Sequence, residues 1–110
     1  MTVLEPGEDC VVLIDTFTVA PERAEELLAE LVAATENGMR YQPGFVSANL
    51  HVSADGRHVA NYAQWRSQDD IDHMMADPTA REHMSRAAAI AESFDPVYYT
   101  LRHSTTVETR

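Results

Sequence analysis

The chain has 110 residues, a formal charge of −10 and 45% hydrophobic content. That is the profile of one folded domain, and it argues against a phosphate-backbone partner because no dense basic patch is available to displace counterions. All eight basic side chains are arginine, which excludes Schiff-base chemistry on lysine, pyridoxal phosphate attachment included.

Residues 1–9 (MTVLEPGED) are expected to form a flexible arm, disordered or lying along a sheet edge, ahead of a single domain over 10–107. Cys10 to Val19 is β-branched and apolar and reads as a strand. Pro21 suits the first position of a helix. Along it Ala24, Leu27, Leu28, Leu31 and Thr35 follow helical spacing, with Glu25, Glu26, Glu30 and Glu36 opposite. Asn37-Gly38 ends that helix. After the Pro43-Gly44 turn, Phe45 to Ser53 is a second strand and His58 to Trp65 a third. Asp55-Gly56 between them predicts a two-residue type I′ hairpin. Ser67 can cap a short helix carrying Ile71, Met74 and Met75 on one face, and Asp77-Pro78 opens another that is expected to run to about Phe94. Pro96 to Thr106 supplies a fourth strand.

No apolar run approaches the roughly 18 residues of a membrane span, and the N-terminus lacks a basic-then-apolar leader pattern. Cys10 is alone, so an intramolecular disulfide is impossible and a cytoplasmic, reduced setting is expected.

The order β-α-β-β-α-β, with the second helical segment split, is that of an α+β, ferredoxin-like fold with a four-stranded antiparallel sheet. Its helices cover one sheet face. Strand one carries Val11, Leu13, Phe17 and Val19 on one side yet Val12 and Ile14 on the other, and strand four sets Val97, Tyr99 and Leu101 against Tyr98. An uncovered, partly apolar face implies a partner surface, and a homodimer packed sheet on sheet is the simplest closure. The two-residue hairpin would pair Val52 with Val59, Leu50 with Asn61, Ala48 with Ala63 and Val46 with Trp65. That register puts Asn61 and Trp65 on the mostly apolar, helix-covered face.

The stretch Asn61-Tyr62-Ala63-Gln64-Trp65, preceded by Pro43-Gly44-Phe45 and the Asp55-Gly56 turn, resembles the antibiotic biosynthesis monooxygenases, nearest to the small anthrone oxygenases of aromatic polyketide pathways. The resemblance runs from about Val11 to Leu101. It implies a dimeric α+β barrel with one pocket per subunit between sheet and helices. The implied activity is oxidation of a phenolic anthrone to a quinone by O₂, with no cofactor. The substrates would be an aromatic polyketide and O₂, with no nucleic acid and no membrane involved.

An anthrone deprotonated to its enolate is electron-rich enough to give an electron to O₂ itself, so the substrate takes the place of a flavin or metal. The protein must supply an apolar slot, donors toward the oxyanion and exclusion of water. Trp65 offers an aromatic wall and an indole N–H; Asn61, on the same strand face, offers an amide. Asp15 would add a carboxylate whose pKa burial raises, which suits a base. These three are the candidate catalytic residues. Phe17, Leu50, Ile71, Met75 and His83 are the candidate substrate-binding residues.

Some anthrone oxygenases place tyrosines and an arginine around the substrate. This chain has Leu50, Ile71 and Met84 at the matching positions, which argues against a Tyr-and-Arg proton relay. Haem-degrading enzymes of the same fold use an Asn, a Trp and a haem-ligating His. Here Asp15, His73 and His83 stand there, and with only the histidine kept haem turnover is not expected. Gly7, Gly38, Gly44 and Gly56 form no phosphate loop, and His51, His58, His73, His83 and His103 show no H-x-H or HExxH spacing. No metal site is expected, and Asp69, Asp70, Asp72 and His73 read as a helix start. Two alternatives on the same barrel are a non-oxidative polyketide cyclase and a non-catalytic ligand-binding or accessory dimer.

Overall fold

Four strands and three α-helices make up the chain in a computed structural model that describes residues 10–107. The expected arm over residues 1–9 lies outside the described residues. Strand β1 (Val11–Thr18) is followed by a single 3-10 turn at Pro21–Arg23 and helix α1 (Ala24–Asn37). Ala24, Leu27, Leu31 and Ala34 are the buried stripe of α1. Strands β2 (Phe45–Val52) and β3 (His58–Trp65) form the hairpin. The Ser67 hydroxyl caps α2 (Gln68–Ala76) by accepting the Asp70 N–H at 3.1 Å, and the Asp77 carboxylate caps α3 (Pro78–Ile90) by accepting the Ala80 N–H at 3.1 Å. Strand β4 (Ser93–Tyr99) returns along β1.

The sheet order is β2-β3-β1-β4, antiparallel throughout, which is the split-βαβ, ferredoxin-like arrangement. All three helices pack on one face. One core cluster joins Phe17, Val19, Leu27, Leu31 and Val59; a second joins Trp65, Ile71, Met74 and Ala80. On the opposite face Val97 and Tyr99 are exposed, while Val12 is buried and so is Gln64, whose Oε1 accepts the Ser47 hydroxyl at 2.9 Å.

Three expectations need correction. Only Gly56 has a positive φ in the hairpin loop, so the turn is not type I′; Gly56 N–H bonds to Ser53 C=O and Ser53 N–H to His58 C=O, closing a four-residue loop. An even loop keeps the pairing parity, so Val52–Val59, Leu50–Asn61 and Ala48–Ala63 stand as expected. Trp65, however, pairs with Phe45 rather than Val46, because a bulge pushes Val46 out to solvent. Finally, α3 stops at Ile90 and β4 begins at Ser93, so Phe94 belongs to the strand and 100–107 has no regular structure. Glu92 N–H bonds to Thr18 C=O at 2.7 Å and Phe94 pairs with Phe17, which draws the chain into the sheet earlier than its composition suggests. Pro96 is tolerated there because β4 is an edge.

Candidate active site

A cavity of about 300 Å³ lies between the inner sheet face and the helices. Period-two alternation builds its floor: Leu13, Asp15 and Phe17 from β1, Asn61, Ala63 and Trp65 from β3, and Phe94, Pro96 and Tyr98 from β4. Its roof comes from α1, α2 and α3 and from the 3-10 turn at Met39–Tyr41, with Met39, Met74, Met75 and Met84 as its larger apolar groups. The space exists because alanines stand where longer side chains would fill it. Ala48 and Ala63 face each other on β2 and β3, with Ala34 and Ala87 across from them on α1 and α3. Such a volume is at the small end of pockets that take drug-sized ligands, about 300–1,000 Å³.

Aromatic contacts stiffen the walls. Trp65, 2% exposed, meets Phe45 edge-on with ring centroids 5.5 Å apart at 88°, and Phe17 lies 6.1 Å from Phe94. The β-bulge at Val46 is what turns Phe45 inward against Trp65. Phe94 and Tyr98, 53% and 46% exposed, form a rim on the β4 side.

Few polar groups interrupt this surface. Asp15 on β1 stands directly opposite Asn61 on β3, near the middle of the floor. The Oδ1 atoms of both residues are buried and unpartnered. Burial, then repulsion from Asp95, pushes the Asp15 carboxyl up to about 6, with the Asp95 backbone opposing the shift. His83 enters from α3; its Nδ1 lies 3.6 Å from Glu30 Oε2 on α1 and 3.4 Å from Arg86 Nη1.

Of the sequence candidates, the structure brings Asp15, Asn61, Trp65, Phe17, Met75 and His83 onto one cavity. Leu50 and Ile71 are not on it. Leu50 shares Asn61's face but packs behind the lining against the Phe17–Leu27 cluster, and Ile71 is fully buried in the cluster that supports Trp65. Phe45 escapes the sequence pattern because a bulge leaves no trace in it, and Phe94 because it reads as the end of the preceding helix; Tyr98 lies within the expected fourth strand but is not among the candidate residues. The alternation Phe94-x-Pro96-x-Tyr98 is the signal that could have found the last two. Among the described residues no group of three His, Cys, Asp or Glu is placed to hold a metal, and no helix is long and apolar enough to cross a membrane.

Comparison with known proteins points the same way. The model of the antibiotic biosynthesis monooxygenase family matches residues 10–86. The chain is 41% identical over 104 residues to the tetracenomycin-F1 monooxygenase of Streptomyces glaucescens, covering 94% of this chain and 92% of that one. It is also similar to the crystal structure of a monooxygenase from the gene ActVA-Orf6 of Streptomyces coelicolor, in complex with nanaomycin D. There the TM-score is 0.82 at 29% identity, over 89% of this chain and 92% of the other. SnoaB, a cofactor-independent oxygenase from Streptomyces nogalater, superposes with a TM-score of 0.70 at 26% identity, over 87% and 96% of the two chains.

Proposed function

The chain belongs to the antibiotic biosynthesis monooxygenase family and is a monooxygenase, and on that premise we propose that it oxidises an anthrone-like aromatic polyketide to a quinone with O₂, without a cofactor, in the cytoplasm. The observation that carries this reading is a carboxylate and an amide facing each other on the floor of an otherwise apolar, aromatic-walled cavity.

Asp15 takes a proton from the reactive ring carbon, leaving an enolate. Its developing oxyanion is met by donors from Asn61 and Trp65. The enolate passes an electron to O₂, the two radicals combine through a C–O bond, and the resulting hydroperoxide loses water to give the carbonyl. The balance is one CH₂ and one O₂ to one C=O and one H₂O. Phe17, Phe94 and the methionine roof hold a flat ring system and exclude water from the peroxide. Met75 and His83 touch the same cavity and complete its lining. The relatives act on tetracenomycin F1 and bind nanaomycin D, which supports a fused-ring substrate here. We further propose a homodimer closed through the outer sheet face, where Val97 and Tyr99 are exposed.

The test is oxygen consumption by the purified protein with an anthrone. Uptake matched one-to-one by quinone formation is expected. Tight binding of the anthrone with no oxygen uptake would contradict it.

A further inference from the structure

Asp15 and Asn61 are opposite each other in the β1–β3 register, both face the cavity, and each leaves Oδ1 buried without a hydrogen-bond partner. With Asp15 ionised, both atoms are acceptors, and two buried acceptors side by side are an unstable arrangement. One hydrogen can be supplied in two ways. If Asp15 holds a proton, its hydroxyl donates to Asn61 Oδ1, which leaves the amide Nδ2 free for the cavity. If Asp15 is ionised, the amide turns over, Nδ2 donates to the carboxylate and Oδ1 is presented instead. The two ends of the amide have nearly the same shape, so the exchange requires only rotation about its terminal bond.

We propose that Asp15 and Asn61 form a proton-operated pair, in which the state of Asp15 decides whether Asn61 offers the cavity a hydrogen-bond donor or an acceptor. The role of the pair in turnover rests on the oxygenase reading above. There, the proton leaving the substrate carbon comes to rest on Asp15, and the same event turns the Asn61 N–H toward the oxyanion just formed. The donor arrives with the charge it stabilises. The proton is then held inside the site and passes to the distal peroxide oxygen, which leaves as water when the remaining hydrogen of the same ring carbon is lost as the second proton and the C=O forms.

Both states are reachable near neutrality, since Asp15 titrates at about 6. The other ionisable groups around it are Asp95 and Tyr98 on β4 and, across the cavity, His83 on α3 backed by Glu30 and Arg86; β2 and β3 contribute none to the lining. Asn61 is a positioned group that acts through the protonation of Asp15, and no strand movement is involved.

The experiment follows the Asn61 side-chain amide by NMR in ligand-free protein from about pH 4 to 8, a range that spans the titration of a raised carboxyl. The resonance is assigned by its loss in Asn61→Ala. The amide is expected to shift with the same midpoint as the Asp15 carboxyl carbon. In Asp15→Asn, which keeps a donor toward Asn61 at every pH, that midpoint is expected to vanish. In parallel, a quinone that can only accept hydrogen bonds should bind about tenfold more tightly below the midpoint than above it, the worth of one hydrogen bond. In Asn61→Ala that ratio should shrink to the part due to charge alone. An amide indifferent to the titration of Asp15, or an unchanged binding ratio in Asn61→Ala, would overturn the proposal. The wild-type co-titration decides the matter even if Asp15→Asn does not fold. Because it uses no substrate, it is read separately from oxygen uptake, whose absence would remove the oxygenase reading and leave the pair intact.

Discussion

A tryptophan whose ring is buried against Phe45 can serve as wall, donor or both. Trp65→Phe separates these roles, since phenylalanine keeps most of the wall and loses the N–H. If that N–H meets the oxyanion, turnover should fall roughly 10²–10³-fold, with little change in melting temperature. Full activity in a stable variant would leave Trp65 as a wall only. Asp15 gives a prediction in pH. Its carboxyl is raised from the ordinary 3.8 to about 6, so the folded chain holds this proton more tightly than the unfolded one. The stabilising contribution of the neutral acid is full below about pH 4, falls as pH rises to about 6, and has become a constant cost above that. Asp15→Asn should therefore be more stable than its parent at about pH 8, on the order of 1–2 kcal/mol once partial solvent screening is allowed for, and should gain nothing at about pH 3. Denaturant melts at both values check this, and equal stability at the higher pH would contradict it. Period two and hairpin parity place Asn61 and Trp65 on the covered face, while the resemblance to the monooxygenases marks them as site residues and draws in Asp15 from β1. The unpartnered oxygens have no such signal, since they depend on side-chain orientation that no spacing records.

At the scale of elements, the helix caps are legible in the sequence, while the hairpin turn type and the strand ends are not. Ser67 and Asp77 cap their helices because a short polar side chain before each helix can accept a backbone N–H. The misplaced β4 arose because Ser93-Phe94 reads as the continuation of a helical stripe, while its pairing with Thr18 and Phe17 is a long-range contact. Leu50 and Ile71 stand where the family resemblance implies substrate-facing groups, yet each is turned into packing behind the cavity. Gly44 is a different kind of element-level residue. Its φ is +82°, and a Cβ there would overlap the Asp70 carboxylate at the start of α2. Gly44→Ala should cost on the order of 1–3 kcal/mol through backbone strain and the displaced α2 cap. Thermal unfolding measures it, and a neutral result would mean that the Pro43-Gly44 turn can move. Ala63→Leu tests the hollow floor. It should reduce quinone binding at least tenfold while the chain still folds, because one leucine occupies space that the facing alanines leave open. Unchanged binding would place the ligand elsewhere.

For the whole molecule, the antiparallel order β2-β3-β1-β4 leaves a sheet face without helices, and sedimentation at micromolar concentration should show a dimer. A stable monomer would contradict the proposed closure. The fold class followed from element order alone; the dimer rested on apolar residues on both strand faces, and here the burial of Val12 and Gln64 within one chain shows how incompletely a strand pattern describes what covers it. Activity is expected to survive exhaustive chelation, because the electron for O₂ is assigned to the substrate enolate. The most direct test of that assignment is turnover of an anthrone under isotopically heavy O₂, with mass analysis of the quinone. One heavy oxygen atom is expected in the new carbonyl and the other in water, at a rate sharply reduced in Trp65→Phe and Asn61→Ala. A quinone oxygen drawn from solvent water, or the same rate with and without the protein, would contradict that assignment.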